Sequence, residues 1–259
     1  MLNTINKHFD LTNKIAIVTG AGNGIGEASA KMLAAYGAAI VVSDYSIEDA
    51  ARVVADIEAN NGRAIAIKCD VTLDEDLTNL VEKTIEHFGR INILVNNAGG
   101  GRAGREGLNE INISQFKRVF DLNVHSIWRL TQLCAPHMQA AGYGSIVNIS
   151  SMASINKSPS ISAYASSKAA INHLTANLAF DLGPTTRINA IGPGAIKTKA
   201  LARVLTPEIE TKMLRGTPLQ RLGDADDIAG AVLYFAAPIS QWVSGQTLFV
   251  NGGGVQTLD

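Results

Sequence analysis

The 259-residue sequence has little cysteine and little net charge, and both shortages exclude classes of site and of binding partner. Only Cys69 and Cys134 are present, with no CxxC pair, so neither a disulfide framework nor a zinc site is predicted. The 22 basic and 23 acidic side chains nearly cancel, and no long basic run indicates a nucleic acid or an anionic membrane as a partner. The five histidines are scattered along the chain, so we expect no metal site.

Long apolar runs are also missing. The first residues lack the apolar segment of a signal peptide, and no run approaches the roughly 18 residues of a membrane span. We therefore expect a soluble, cytoplasmic protein with no membrane partner. No proline- or serine-rich linker, charge block or internal repeat divides the chain, which predicts a single domain over residues 1–259.

What the sequence does contain is a series of short runs rich in Ile and Val, separated by longer segments of helical period. Runs such as KIAIVTG, AAIVVSD and INILVNNAG each predict a buried strand. In the segment SIEDAARVVADIEANNG between two such runs, Ser46 can cap a helix and Gly62 can end it. The alternation predicts an α/β Rossmann fold, a doubly wound parallel sheet of about seven strands with helices on both faces. The first six strands fit the order 3-2-1-4-5-6, which opens a ligand crevice at their carboxyl ends.

A glycine turn follows the first predicted strand, in IVTGAGNGIG. Gly20, Gly24 and Gly26 let the backbone approach a pyrophosphate closely, and the following helix would offer its N–H groups. A glycine turn without a ligand is the alternative interpretation. Asp44, at the end of the second strand, can bond a ribose diol and would repel a 2′-phosphate, which favours NAD over NADP. Its alternative role is helix capping, and no basic residue lies beside it at 43–46.

Polar and small residues also follow the third and fourth strands. Asp70 in CDV can bond an adenine amino group, and Asn97, Ala98 and Gly99 in NNAG can line the adenosine side. Without further context such residues are ordinary turn formers. These positions become informative only as part of a larger pattern.

Tyr164 and Lys168, in SAYASSKAAINHL, lie four residues apart on a predicted helix and therefore share one face. A pair at this spacing arises often by chance. Ser151 precedes Tyr164 by thirteen residues at the end of the fifth strand, and Ser150 is its rival. A shift of one residue in strand register would exchange the directions in which these two serines face.

Taken together, TGAGNGIG, CDV, NNAG, LNV, Ser151, YASSK and PGAIKT have the order and spacing of the short-chain dehydrogenase/reductase family, which the chain resembles over essentially its full length. The resemblance implies that Tyr164 exchanges a proton with the substrate oxygen while hydride moves. Lys168 would lower the pKa of the phenol and bond the nicotinamide ribose. The resemblance implies that Ser151 bonds the reacting oxygen. It also implies that Asn123, in the middle of a helix, holds a water that passes protons to Lys168.

The same resemblance implies NAD as the cofactor. In PGAIKT, Ile196 and Thr198 would contact the nicotinamide carboxamide, and residues 199–218 would form a helical lid over the substrate. The full set of expected cofactor-binding residues is Gly20, Asn23, Gly24, Ile25, Gly26, Asp44, Tyr45, Asp70, Val71, Asn97, Ala98, Gly99, Tyr164, Lys168, Pro193, Gly194, Ile196 and Thr198.

Within the family, the segments TPEIETKML and GGGVQ resemble those of members that act on hydroxysteroids. The resemblance implies oxidation of a secondary hydroxyl, with the 7α-hydroxyl of a bile acid or steroid as the substrate. Gly101, Ser151, Asn156 and Tyr164 would then lie at the substrate. Arg102 or Arg105 could meet a bile-acid carboxylate. A homotetramer is the implied assembly.

Three alternatives stay open. One is a 3-oxoacyl-[acyl-carrier-protein] reductase, which usually takes NADPH, so that Asp44 argues against it. Another is a short-chain alcohol dehydrogenase with a different substrate. The third is a nucleotide-binding scaffold without catalysis, which predicts a broken catalytic set. The four implied catalytic residues are all intact, namely Asn123, Ser151, Tyr164 and Lys168.

Overall fold

The computed structural model describes residues 7–101, 105–202 and 205–254. Within these residues, seven strands form one parallel sheet in the order β3-β2-β1-β4-β5-β6-β7. The strands are β1 (Ile15–Thr19), β2 (Ala39–Asp44), β3 (Arg63–Lys68), β4 (Ile93–Asn96), β5 (Gly144–Ile149), β6 (Thr186–Pro193) and β7 (Thr247–Val250). The predicted doubly wound parallel sheet and its strand order are confirmed.

The helices connect successive strands and cover both faces of the sheet. They are α1 (Gly24–Ala35), α2 (Ile47–Ala59), α3 (Asp74–Phe88), α4 (Ile113–Phe120), α5 (Ser126–Ala140), α6 (Ser162–Leu182), α7 (Lys199–Ala202), α8 (Pro207–Arg215) and α9 (Ala225–Ala236). A π-helical turn (Asp121–His125) joins α4 to α5, and a 3₁₀ turn (Met152–Ser154) follows β5. In the described parts of the chain, no helix is both long and apolar enough to cross a membrane.

The core consists of two apolar clusters, one on each face of the sheet. Successive side chains of a strand point to opposite faces, so Val18 of β1 joins one cluster and Ile17 joins the other. The first cluster packs α1, α2 and α9 on the sheet, and the second packs α3, α5 and α6. The side chains of Ile17 and Val18 are both fully buried. Because such strands are buried on both faces, their sequences are continuous apolar runs.

The strand order reverses at β1, which pairs with β2 on one side and with β4 on the other. The connections from these strands leave toward opposite faces of the sheet, and a crevice opens between them at the carboxyl edge. The segments that follow β1, β2, β4, β5 and β6 all begin at this edge. It is where the sequence places its candidate site residues.

Candidate active site

The turn after β1 brings backbone segments into direct contact. Gly20 has a left-handed φ of +60°, and a methyl group at Gly26 would overlap the carbonyl oxygen of Gly20. The turn is held in place by Asn97, whose Nδ2 donates to the carbonyl oxygens of Thr19 and Gly20, both at 2.9 Å. The Asn97 side chain therefore stabilises the glycine turn, and any contact of this residue with a ligand would have to come from its remaining atoms.

The N-terminus of α1 faces the crevice that this turn shapes. Among the described residues, the helix cap Asn23 makes no side-chain hydrogen bond to the first turn. The first N–H groups of a helix have no partner within it, so this end can hold a pyrophosphate. A methyl group at Gly24, where φ is +57°, would lie 3.4 Å from Thr198 Cγ2, so Thr198 lies over the turn. Ile25 packs beneath it against the first apolar cluster. The turn is a cradle that fits a dinucleotide.

Asp44 is fixed at the end of β2 by two backbone donors. Its Oδ2 accepts the N–H of Gly22 at 2.7 Å, and its Oδ1 accepts the N–H of Ser46 at 3.0 Å. A carboxylate has about four acceptor sites, so both oxygens retain capacity for a ribose diol. Ser46 itself caps α2 by accepting the N–H of Asp49, as the sequence predicts. Tyr45, next in the chain, is 71% exposed at the mouth of the crevice.

An arginine from α2 also reaches this region, although the sequence has no basic residue at 43–46. Arg52 Nη2 donates to the carbonyl oxygen of Gly22 at 2.8 Å. The same guanidinium pairs with Glu27 of α1 at 2.7 Å, which raises the pKa of Arg52 and lowers that of Glu27 to about 2. Arg52 lies eight residues after Asp44 in the sequence, and α2 brings it back to the glycine turn, so positions 43–46 give no sign of it.

On the adenine side, Asp70 shapes its own turn. Its Oδ1 accepts both the N–H and the hydroxyl of Thr72, at 2.9 and 2.7 Å, while its own N–H donates to Asp76. Val71 packs in the second apolar cluster. Contact of Asp70 and Val71 with an adenine stays a prediction, as does that of Ala98 and Gly99 with the adenosine.

Tyr164 and Lys168 lie one turn apart on α6, with Lys168 Nζ 5.7 Å from the centre of the Tyr164 ring. Ser151 lies close enough to the Tyr164 phenol to lower its pKa, and Lys168 Nζ donates to the carbonyl oxygen of Ile149 at 2.8 Å. Ser150 faces away, since its hydroxyl donates to the carbonyl oxygen of Lys168 at 3.1 Å. Of the two serines considered, the structure brings Ser151 to the tyrosine.

Burial dominates the electrostatics of this pair. It raises the pKa of the Tyr164 phenol, an effect that the Ser151 hydroxyl opposes and the Glu106 carboxylate reinforces. Burial likewise lowers the pKa of Lys168 to about 8. The sequence analysis expects the Lys168 ammonium to lower the pKa of Tyr164. In the structure the pKa of Tyr164 moves in the opposite direction, because desolvation of the phenol is the largest cause. The effect of Lys168 beside a bound nicotinamide stays a prediction.

Asn123 is fully buried at the centre of the π-helical turn. Its Oδ1 accepts the N–H of Gly100 at 2.9 Å, and its Nδ2 donates to the Gly100 carbonyl and to Ser167 Oγ, at 2.8 and 2.9 Å. The expected α-helix is replaced by a π-turn in which the N–H of Ser126 bonds the carbonyl of Asp121, five residues back. Such a bulge displaces carbonyl groups from the regular helical ladder and often marks a functional site.

The segment after β6 reaches the site mainly through its backbone. Pro193 ends the strand, and the N–H of Gly194 donates to the carbonyl oxygen of Val250 at 2.9 Å. The Ile196 side chain is buried in the first apolar cluster against Gly223. Any contact of Ile196 with a nicotinamide would therefore be made by its main-chain atoms, and that contact stays a prediction. The lid over residues 199–218 stays a prediction, since residues 203 and 204 lie outside the described part of the chain.

Of the expected substrate residues, Gly101 is the one that the structure places beside Tyr164. A methyl group at Gly101 would come within 3.0 Å of Tyr164 Cβ, which places Gly101 directly against the tyrosine. Asn156 is half-buried after the 3₁₀ turn, where its N–H donates to the Met152 carbonyl. Arg105 is exposed on the loop that follows β4, and Arg102 lies outside the described residues.

Glu106 is a site residue that the sequence analysis misses. It is 1% exposed, and its Oε2 accepts the N–H of Tyr164 at 2.6 Å. The two residues are 58 positions apart, and no local pattern around Glu106 signals the contact. In the described ranges, no group of three or more His, Cys, Asp or Glu side chains is arranged to hold a metal ion.

Comparison with known proteins places this arrangement among characterised enzymes. A family model described as enoyl-(acyl carrier protein) reductase matches residues 20–254. The chain is 48% identical to the 7α-hydroxysteroid dehydrogenase of Escherichia coli K12 over 260 residues, which cover 100% of both chains. It is 41% identical to the 7α-hydroxysteroid dehydrogenase of Clostridium sardiniense, with 94% of each chain covered.

Among solved structures, one similar fold is a 7α-hydroxysteroid dehydrogenase complexed with NADH and 7-oxo glycochenodeoxycholic acid. Its TM-score is 0.95 at 48% sequence identity, and the match covers 98% of both chains. The likeness therefore extends over the sheet, the glycine turn and the Tyr164 helix together.

Proposed function

Because the chain belongs to the short-chain dehydrogenase/reductase family, we propose that it is an NAD-dependent dehydrogenase that oxidises the 7α-hydroxyl of a bile acid or related steroid to a ketone. The observation that carries this proposal is the Tyr164 phenol. It lies beside Ser151 and Lys168, at the same sheet edge as the dinucleotide cradle. An acid/base group next to a hydride acceptor is what alcohol oxidation requires.

NAD is the cofactor that the cradle fits best. The glycine turn and the start of α1 would hold the pyrophosphate, and Asp44 would accept the adenosine ribose hydroxyls. A 2′-phosphate would meet the negative charge of Asp44. Arg52 could in principle attract that phosphate, but its ion pair with Glu27 already engages the guanidinium.

In the proposed reaction, the NAD held by the glycine turn and Asp44 would supply the acceptor for the hydride that leaves the carbon carrying the hydroxyl. Tyr164, as the phenolate, takes the hydroxyl proton at its Oη, so that the ketone forms as both bonds break. Ser151 Oγ donates a hydrogen bond to the reacting oxygen and stabilises the charge that develops there. The Lys168 ammonium favours the phenolate, and it passes the proton onward through a water held at the Asn123 turn.

The substrate assignment follows from the relatives and from the residues around Tyr164. Gly101 lies directly against Tyr164 and Glu106, because a side chain there would collide with both. Asn156 would contact the steroid, and the exposed Arg105 would meet the carboxylate of a bile-acid side chain. Residues 199–218, which include α7 and α8, would close over the steroid.

We also propose that the enzyme works as a homotetramer in the cytoplasm. Phe180 of α6 and Trp242 before β7 are 88% and 97% exposed, and large exposed apolar side chains are typical of protein interfaces. Both cysteines are free and buried, as expected for a reducing compartment. Light scattering should give a particle of four chains, and Trp242→Ser should shift it toward smaller species. A monomeric wild-type protein would contradict the assembly.

One observation favours a second candidate, an NADPH-dependent 3-oxoacyl-[acyl-carrier-protein] reductase. Arg52 lies at the glycine turn, and an arginine there can serve a 2′-phosphate. Asp44 and Glu27 both place negative charge at the same point, so we prefer NAD.

The test is to follow NADH absorbance with cholate and chenodeoxycholate as substrates and NAD as cofactor. The same assay is repeated with NADP, and with NADPH and an acetoacetyl thioester in the reverse direction. We expect NADH formation with the bile acids and little turnover with the other pairs. Activity confined to NADPH and the thioester would contradict both the cofactor and the substrate.

A further inference from the structure

Glu106 links the loop after β4 to the helix that carries Tyr164. Its main-chain N–H donates to the carbonyl oxygen of Ser160 at 2.9 Å, just before α6 begins. Its side chain accepts the N–H of Tyr164 at 2.6 Å, in the first turn of α6. Ser160 has a left-handed φ of +55°, so the chain turns sharply where Glu106 meets it. The residue is 1% exposed, which places both contacts inside the protein.

The start of α6 needs such an acceptor because its own sequence does not supply one. Among the described helices, α2, α4 and α8 are capped by Ser46, Asn112 and Thr206, which directly precede them. The residue at the cap of α6 is Ile161, whose side chain cannot accept a hydrogen bond, and its first turn holds no acidic residue. The first N–H groups of a helix need acceptors, and the helix dipole favours a negative charge there.

We propose that Glu106 is a positioning residue that caps the Tyr164 helix from a distant loop and places a buried negative charge beside Tyr164. The inference rests on the proposed function, in which Tyr164 is the proton acceptor. The charge of Glu106 contributes to raising the pKa of the Tyr164 phenol, in the direction that a nearby negative charge requires. Glu106 would therefore set the lower pH limit of alcohol oxidation, because oxidation needs the phenolate.

Other charged groups near Tyr164 act differently from Glu106. Lys168, on the same helix, is buried and favours the phenolate. The segments packed around the start of α6 also carry charged or titratable groups that reach solvent and are therefore screened. They are Arg105 and Glu110 on the loop, Lys117 and Arg118 on α4, Asp121 and His125 on the π-turn, and Lys157 before α6.

The test compares Glu106→Gln with Glu110→Gln, which removes an exposed carboxylate from the same loop. With NAD bound, tyrosinate formation is followed by ultraviolet difference titration, and the signal of Tyr164 is isolated by subtracting that of Tyr164→Phe. In Glu106→Gln we expect the midpoint of Tyr164 to fall by roughly 0.5 to 1 pH unit. The acidic limb of NADH formation from chenodeoxycholate should move by the same amount. In Glu110→Gln neither should move.

An unchanged or higher midpoint in Glu106→Gln would overturn the proposal. The titration needs no steroid, so a shifted midpoint without bile-acid oxidation would refute the substrate assignment and leave the role of Glu106 standing. Glu106→Asp supplies a second test, because it keeps the charge and shortens the reach to the helix. It should lower kcat and leave the pH midpoint near that of the wild type, and wild-type kcat in this variant would contradict the capping role.

Discussion

The carboxyl edge of the sheet has two unlike halves. In the cofactor half, backbone contacts backbone at Gly20 and Gly26, and the Asn97 amide joins β4 to the turn after β1. In the substrate half, Leu108 and Ile155 lie on exposed loops, 93% and 57% accessible to solvent. The cofactor half therefore depends on shape at the scale of one methyl group, whereas the substrate half depends on loops that tolerate change. Tyr164 and Lys168 lie where the two halves meet.

The largest effect is expected from Gly26→Ala, which breaks the cofactor half. The added methyl overlaps the Gly20 carbonyl oxygen, and a rigid backbone has no room to yield. We expect a loss of about 3 kcal/mol or more, shared between the free energy of unfolding and NAD affinity. Urea denaturation and NAD titration by calorimetry measure the two parts.

The matched control for that change is Gly230→Ala, on the exposed side of α9. Apart from the adjoining residues of the helix itself, no atom of the described residues lies within 4 Å of the methyl group there. Alanine should stabilise the helix by up to about 1 kcal/mol. Equal behaviour of the two variants would show that the glycine turn does not depend on close packing.

A smaller effect, of opposite sign, is expected where the halves meet. Burial lowers the pKa of Lys168 from 10.5 to about 8, so below pH 8 its charge costs the folded state about 3 kcal/mol. Lys168→Met also loses the hydrogen bond to the Ile149 carbonyl, worth roughly 1 kcal/mol. The variant should therefore be more stable than the wild type at pH 7, by on the order of 2 kcal/mol, while losing turnover.

The stability difference between Lys168→Met and the wild type should also depend on pH, in a direction that the lowered pKa of Lys168 fixes. Between about pH 8 and 10.5 the unfolded state holds more protons at Lys168 than the folded state, so wild-type stability rises with pH. The advantage of Lys168→Met should shrink across that window in urea denaturation curves. A variant less stable than the wild type at pH 7 would mean that burial of the ammonium is not costly.

The smallest effect is expected in the substrate half, from Arg105→Gln. An exposed ion pair contributes at most about 1 kcal/mol, so KM for chenodeoxycholate should rise about two- to five-fold with kcat unchanged. Added salt should reduce the difference. The control is Arg118→Gln, which removes an exposed arginine of α4. A fall in kcat for Arg105→Gln alone would place this arginine in the chemistry and not in binding.

Within both halves, some features can be predicted from the sequence and others cannot. The strand runs, the turn at Gly20 and Gly26, and the pairing of Tyr164 with Lys168 depend on local spacing and on conformations that only glycine adopts freely. Such features can be predicted because they depend on residues that are close together in the sequence. The strand order follows from the same alternation of strands and helices.

Other features depend on contacts between distant segments. The π-turn at Asn123 lies between two α-helices in one continuous helical segment, and the buried side chain of Ile196 follows from how the chain leaves β6. Arg52 reaches the glycine turn from the next helix, and Glu106 reaches Tyr164 across 58 positions. No periodicity connects such pairs, so they become visible only in the folded protein.

The central claim is that Tyr164 takes the substrate proton in a site whose cofactor half forms without it. It is tested most directly by Tyr164→Phe, with NAD affinity and NADH formation from chenodeoxycholate measured on the same sample. The account predicts that turnover falls at least about 10³-fold, because the proton acceptor is lost, while NAD affinity stays near that of the wild type. Full turnover in this variant, or a loss of NAD affinity as large as the loss of turnover, would contradict it.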